Sequence, residues 1–352
     1  WRDWSSDVCS SDLTVAFDTI FNEDIMELIP YVFQLRAQFI SSYRNHPQQL
    51  VEKYGPDFTR YLVASQWERT GNVPALARVL ESFIRYAPDF VVPHILPILG
   101  IFQKLLYSRS WDVYGFQILK SMIFCIKYVS PIYKKLTSRE EHWVNHFQQV
   151  YVLICTRLQT AKTQAVVLAF ISFTSCLILK LGVDRVIEII EGVKSGVTGL
   201  LLTQVWLPNS NKLDDFVDRK TCVLALTALL DTCSSFPQST PWNTMPRAIL
   251  GSCIDLLHTL VDTKDDENEP DIEVGEQEFT SVYTKLAFSG NETHTFLNDQ
   301  EDPTQYFLSH LQELSRKFPG TLTGIIQELP DKQRHGLEQM FQQSNLSMPY
   351  IY

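Results

Sequence analysis

Apolar residues recur at helical spacing in paired segments. The first members of the pairs begin near Asp24, Val73, Asp112, Thr163 and Asp214. These starts lie roughly 40 to 50 residues apart, close to the ~40–47-residue period of HEAT and armadillo repeats. Sequence identity between the segments is low. What recurs is a physical unit, two amphipathic helices that cannot bury their apolar stripes alone and therefore stack on the next pair. This spacing predicts an all-α chain, a HEAT-repeat solenoid (α-α superhelix) of about seven helix pairs. No sustained apolar/polar alternation and no Asn-Gly hairpin signal argues for strands.

Proline and glycine place the predicted boundaries. Helices are expected over 24–43 and 48–64, broken by Asn45-His46-Pro47, then over 73–86 and 90–107 across Ala87-Pro88. The next pairs are 112–128 with 139–158, 163–181 with 184–204 across Gly182, and 214–233 with 244–261. Shorter helices are expected over 278–287, 303–317, 322–329 and 332–343. Residues 1–13, rich in Ser and Asp, show no helical or strand period. They resemble a translated adapter scar and are set aside as an artefact or a disordered tail. That leaves 14–352 as the folded region, expected to begin mid-element.

The net charge of −10 is concentrated in one place. Between Asp262 and Glu278 stand nine acidic residues against one lysine, a net of −8. Like charges at that density repel and stay solvated, so 262–276 is expected to be an acidic loop between helices, either a spacer or a latch for a basic partner. The rest of the chain lacks the clustered positive surface that nucleic-acid binding needs. Cys125, Cys155, Cys176, Cys222, Cys233 and Cys253 sit among apolar residues without a CxxC pair, the usage of reduced, buried thiols. The uncharged run 163–179 contains Ser172, Thr174 and Ser175 and falls short of the ~20 apolar residues of a membrane span. A helix buried between layers is expected there, with no membrane insertion.

Catalytic signatures are missing. No phosphate-binding glycine loop, nucleophile elbow or HExxH motif occurs. His142 and His146 share a helix face at a zinc-compatible spacing, but the glutamate of the motif is missing between them and no third ligand is evident. The chain reads as a non-enzyme without cofactor or metal.

Two polar junctions stand out. In Trp67-Glu68-Arg69-Thr70-Gly71-Asn72-Val73-Pro74-Ala75-Leu76, Trp67 is a candidate gap-filler and Asn72 or Thr70 a candidate cap for the helix entered at Val73-Pro74. Glu68, Arg69 and Asn72 are candidates for contact with a protein partner. Arg157, Gln159 and Lys162 in Arg157-Leu158-Gln159-Thr160-Ala161-Lys162 form a second such set. Asp265, Asp266 and Glu267 of the acidic stretch form a third.

With Ile29–Leu35 (IPYVFQL), Gly100–Leu106 (GIFQKLL), Thr156–Thr163 (TRLQTAKT), Lys285–Gly290 (KLAFSG) and Phe318–Gly320 (FPG), the Trp67–Leu76 segment resembles the C-terminal part of the exportin-2 (cellular apoptosis susceptibility) family of karyopherins. The resemblance implies a receptor that binds importin-α together with Ran-GTP inside an arch and returns importin-α to the cytoplasm. It further implies shuttling between nucleus and cytoplasm and nuclear pore proteins as further partners. GTP hydrolysis would belong to Ran. A HEAT or armadillo scaffold for another protein partner is the alternative.

Overall fold

A computed structural model describes residues 6–126, 138–233, 244–263, 302–317, 320–344 and 346. Every regular element among the described residues is helical. The described residues divide into two units, one up to Cys125 and one from Ile126 onward.

The first unit holds α1 (Ser6–Asn22), α2 (Ile29–Ser42), α3 (Pro47–Tyr54), α4 (Phe58–Tyr61), α5 (Val73–Tyr86), α6 (Pro88–Val91), α7 (Ile95–Leu106) and α8 (Asp112–Phe124). Helices α2, α5 and α8 stack side by side in one row, and α7 packs against α8. Aromatic rings fill the space between layers. The Phe58 ring lies 4.7 Å from Phe83, 5.2 Å from Phe90 and 5.1 Å from His94. Each such ring removes a large apolar area from water, which is what a stack without a single central core relies on.

The second unit holds α9 (Ser138–Thr160), α10 (Gln164–Leu181), α11 (Val183–Glu191), α12 (Val197–Leu201), α13 (Phe216–Cys233), α14 (Met245–Thr263), α15 (Pro303–Lys317), α16 (Thr321–Gln327) and α17 (Asp331–Gln343). Here α10, α13 and α15 form one row, with α14 on α13 and α17 on α14. Gln164–Leu181 and Pro88–Leu106 are each long and apolar enough to cross a bilayer. The first packs against α9, α11 and α13, so its apolar composition follows from being covered on several sides.

The repeat is visible in the hydrogen bonds between layers. Ser41 with Ser82, Gln117 with Glu81, and Cys125 with the Ile84 carbonyl join residues 41, 36 and 41 apart. In the second unit Gln148 with Gly192, Ser172 with Asp218, and Arg219 with Thr259 span 44, 46 and 40. Equivalent helices therefore recur at the interval that the apolar pattern predicts.

Several boundaries differ from the sequence reading. Helix α1 begins at Ser6, so 6–13 is continuous with helix although its composition carries no period. Nothing in that stretch breaks a helix: it holds no Pro or Gly, and the apolar face of Phe17 and Ile20 follows it. Helix α2 begins at Ile29 rather than Asp24, because Asp24 takes a left-handed conformation at φ 50°. The segment 48–64 is interrupted at Gly55-Pro56, and 90–107 at Pro93, where short 3₁₀ turns replace the α-helix. The segment 184–204 divides at Gly192–Gly196. Gly196 sits at φ 82°, which a side chain would strain, and the chain re-enters as α12 followed by a π-helical turn, Leu202–Trp206. The expected helix 278–287 lies outside the described residues.

Candidate protein-binding edge

The 62–73 junction is built around a buried ring. Trp67 is 4 % exposed and donates its indole N–H to the Tyr61 carbonyl at 2.8 Å. That fixes the chain as it leaves α4 and turns toward α5. Asn72 is also buried. Its amide nitrogen reaches the Gln66 side-chain oxygen at 3.2 Å and the Gln66 carbonyl at 3.4 Å. Asn72 therefore closes the loop 66–72 and makes no side-chain cap on α5, contrary to the capping expectation. Pro74 occupies the first turn of α5, where its missing N–H leaves nothing unsatisfied.

The two charged residues of this junction point outward and reach neighbouring layers. Arg69 Nη1 and Nη2 donate to Asp24 Oδ1 and Oδ2 at 2.6 and 2.9 Å. The hydrogen bonds from Arg69 hold the Asp24 carboxyl below the usual carboxylate range and raise Arg69 in turn. Glu68 Oε1 accepts from Lys104 Nζ of α7 at 3.2 Å, and Lys104 also donates to the Ala64 carbonyl. Thr70–Asn72 itself forms a 3₁₀ turn.

The second junction, between α9 and α10, has a buried cation. Arg157 is 1 % exposed, and its guanidinium donates to the Ala161 carbonyl beyond the end of its own helix. A cation at a helix C-terminus satisfies carbonyls that have no partner within the helix. Lys162 Nζ lies 3.4 Å from the Gln204 carbonyl of the π-helical turn. Gln159 is exposed. Thr163 caps α10, its hydroxyl oxygen accepting from Val166 N–H at 3.3 Å.

A family profile described as "CAS/CSE protein, C-terminus" matches residues 6–340. The chain belongs to the CAS/CSE family. It is 27 % identical over 320 residues to the exportin-2 proteins of Bos taurus and Homo sapiens, covering 89 % of this chain and 31 % of each relative. Exportin-2 of Danio rerio is 26 % identical over 317 residues, covering 88 % of the chain and 31 % of the relative. A solved structure titled "The exportin Cse1 in its cargo-free, cytoplasmic state" superposes with a TM-score of 0.74 at 23 % identity. It covers 96 % of this chain and 33 % of that one. The fold is thus the helical solenoid of this exportin, and the chain spans about a third of the relatives' length.

In this CAS/CSE chain the candidate residues divide by burial. Glu68, Arg69, Gln159 and Lys162 lie on the surface side of their turns, whereas Asn72 and Arg157 hold those turns from within. Asp265, Asp266 and Glu267, most of the acidic stretch and the Lys285–Gly290 motif lie outside the described residues. Asp24 and Lys104, partners of the two outward charges, were not singled out from sequence. Only Lys104 had a signal, its place in the Gly100–Leu106 motif. The His142 and His146 rings stand 5.3 Å apart on α9. Burial, with His142 second, lowers the His146 imidazole below its usual value. No group of three His, Cys, Asp or Glu side chains suited to a metal occurs among the described residues. Burial pushes the Cys222 thiol up to about 12 and Cys253 higher still, which leaves both inert as nucleophiles.

Proposed function

We propose that this chain is the C-terminal part of an export receptor that binds importin-α together with Ran-GTP and returns importin-α to the cytoplasm. The family match across 6–340 carries this reading. The relatives so covered are exportin-2 proteins. The chain itself supplies helix layers and their connecting turns. It performs no chemistry, and GTP hydrolysis belongs to Ran. Receptors of this kind shuttle between nucleus and cytoplasm, with nuclear pore proteins as further contacts.

Within that function, Glu68, Arg69, Gln159 and Lys162 are the proposed partner contacts, because loops on a solenoid edge are free to vary without disturbing the stack. Asn72 and Arg157 set the shape of those edges. Asp265, Asp266 and Glu267 are proposed to attract a basic surface, an effect on association rate that salt weakens. The two ligands are coupled: if Ran-GTP raises affinity for importin-α, importin-α raises affinity for Ran-GTP by the same factor.

Co-precipitation of importin-α by a receptor containing this chain, with Ran loaded with GTP or with GDP, tests the reading. Recovery of importin-α that depends on Ran-GTP is expected. Recovery of some other protein, indifferent to Ran, would make the chain a HEAT scaffold for a different partner.

A further inference from the structure

His310 on α15 stacks on the ring of Tyr306, centroids 4.0 Å apart, and its Nδ1 lies 2.8 Å from the Tyr306 carbonyl. A carbonyl oxygen only accepts, so Nδ1 carries a proton. Nε2 then faces Asp231 Oδ2 on α13 at 3.5 Å. Both side chains are partly withdrawn from water, at 25 and 29 % exposed. Without a second proton an imidazole lone pair would face the lone pairs of a carboxylate. With that proton the contact is either imidazolium against carboxylate or imidazole against carboxylic acid, and attractive in both forms.

We propose that His310 and Asp231 form a proton-operated clasp between α13 and α15, closed while a proton lies between Nε2 and Oδ2 and loosened when it is lost. Two further charges that act on Asp231, Lys317 and Glu313, stand on α15. Glu313 and Lys317 form an ion pair at 2.8 Å, and Arg316 acts on Glu313 beside them. Asp231 faces His310, Lys317 and Glu313 of α15, while α10, α11 and α14 pack on α13, and α16 and α17 on α15. Burial pushes the Asp231 carboxyl above the usual range, with His310 and Lys317 opposing and Glu313 adding. Just above the usual carboxylate range, burial therefore lets the folded chain keep a proton on Asp231 that the unfolded chain releases. The contact weakens as rising pH removes the proton between Nε2 and Oδ2 and leaves lone pairs facing one another.

Hydrogen exchange of the α15 amides in the whole chain, corrected for the intrinsic pH dependence of exchange, tests this. Wild-type protection over 306–317 should fall with rising pH, by about tenfold for each unit that closing shifts the shared proton. In Asp231→Asn the amide N–H supplies Nε2 with a donor at every pH, so protection should stay level. An equal pH slope in the two proteins, or none in the wild type, overturns the clasp.

Discussion

Arg69 holds both carboxylate oxygens of Asp24, a residue 45 positions earlier whose backbone has turned left-handed to meet it. The adjacent Glu68 pairs forward with Lys104, 36 positions on. Two neighbouring residues of opposite sign thus tie their turn to the layer before and the layer after. The groups are 37 to 67 % exposed. Ion pairs so open to water contribute little to stability, but their geometry fixes register along the edge. A partner that engages Arg69 must first compete with Asp24.

Arg69→Ala should therefore cause a small fall in melting temperature that shrinks at high salt, where exposed charges are screened. Asp24→Asn should do the same, and the double variant should be no worse than either single one. Calorimetric melting at low and high salt checks this. A large, salt-independent loss would show that Arg69 packs rather than pairs.

Trp67 behaves differently because it is buried. Trp67→Phe leaves the Tyr61 carbonyl without its donor and should cost about 1–3 kcal/mol. Trp67→Ala opens a cavity as well and should cost about 3–5 kcal/mol. Denaturant unfolding measures both; equal losses would argue that the ring's packing carries no weight, and no loss in Trp67→Phe that the hydrogen bond carries none.

The start of α12 should be acid-sensitive. Glu191 accepts from the backbone N–H groups of Gly196 and Thr198 at 2.6 and 2.9 Å. Burial pushes its carboxyl up, but hydrogen bonds from Thr198 and Gly196 outweigh that and hold it below the usual value. Its contribution is present above the unfolded carboxylate value and is lost as pH falls through the folded one. Glu191→Gln should cost up to about 1 kcal/mol at neutral pH, since a neutral acceptor bonds more weakly. The gap from wild type should close in acid. Melting curves across the acid range read both effects, and a gap that stays constant with pH contradicts the assignment.

Gly336 lets α17 lie close against α14. A Cβ built there would collide with His258 Nε2. Gly336→Ala must push the imidazole aside and should destabilise by about 1–3 kcal/mol, as overpacking does. Gly336→Ala combined with His258→Ala should recover part of the loss in denaturant unfolding. No recovery would place the strain elsewhere.

The sequence was most legible where punctuation and apolar period agreed. Val73–Tyr86 and Pro303–Lys317 run between the boundaries that Pro74, Ala87-Pro88 and Pro303 mark. It was least legible where a residue serves a distant partner. Asp24 reads as a good helix start, and only Arg69 in the next layer explains why it leaves the helix. Arg157 reads as a surface cation after an apolar run, yet it is buried because it serves the carbonyl of Ala161. Asn72 reads as a cap, but the loop that it closes begins at Gln66, a feature no local pattern encodes.

The most direct measurement is a titration of importin-α against a full-length receptor carrying this chain, with Ran bound to a non-hydrolysable GTP analogue or to GDP. The account predicts importin-α affinity at least about fivefold higher with the GTP form, the lower end of typical coupling between two sites. It also predicts that substituting Gln159 and Lys162 together weakens that affinity without lowering the melting temperature. Importin-α binding that is absent, or equal with either form of Ran, would contradict it.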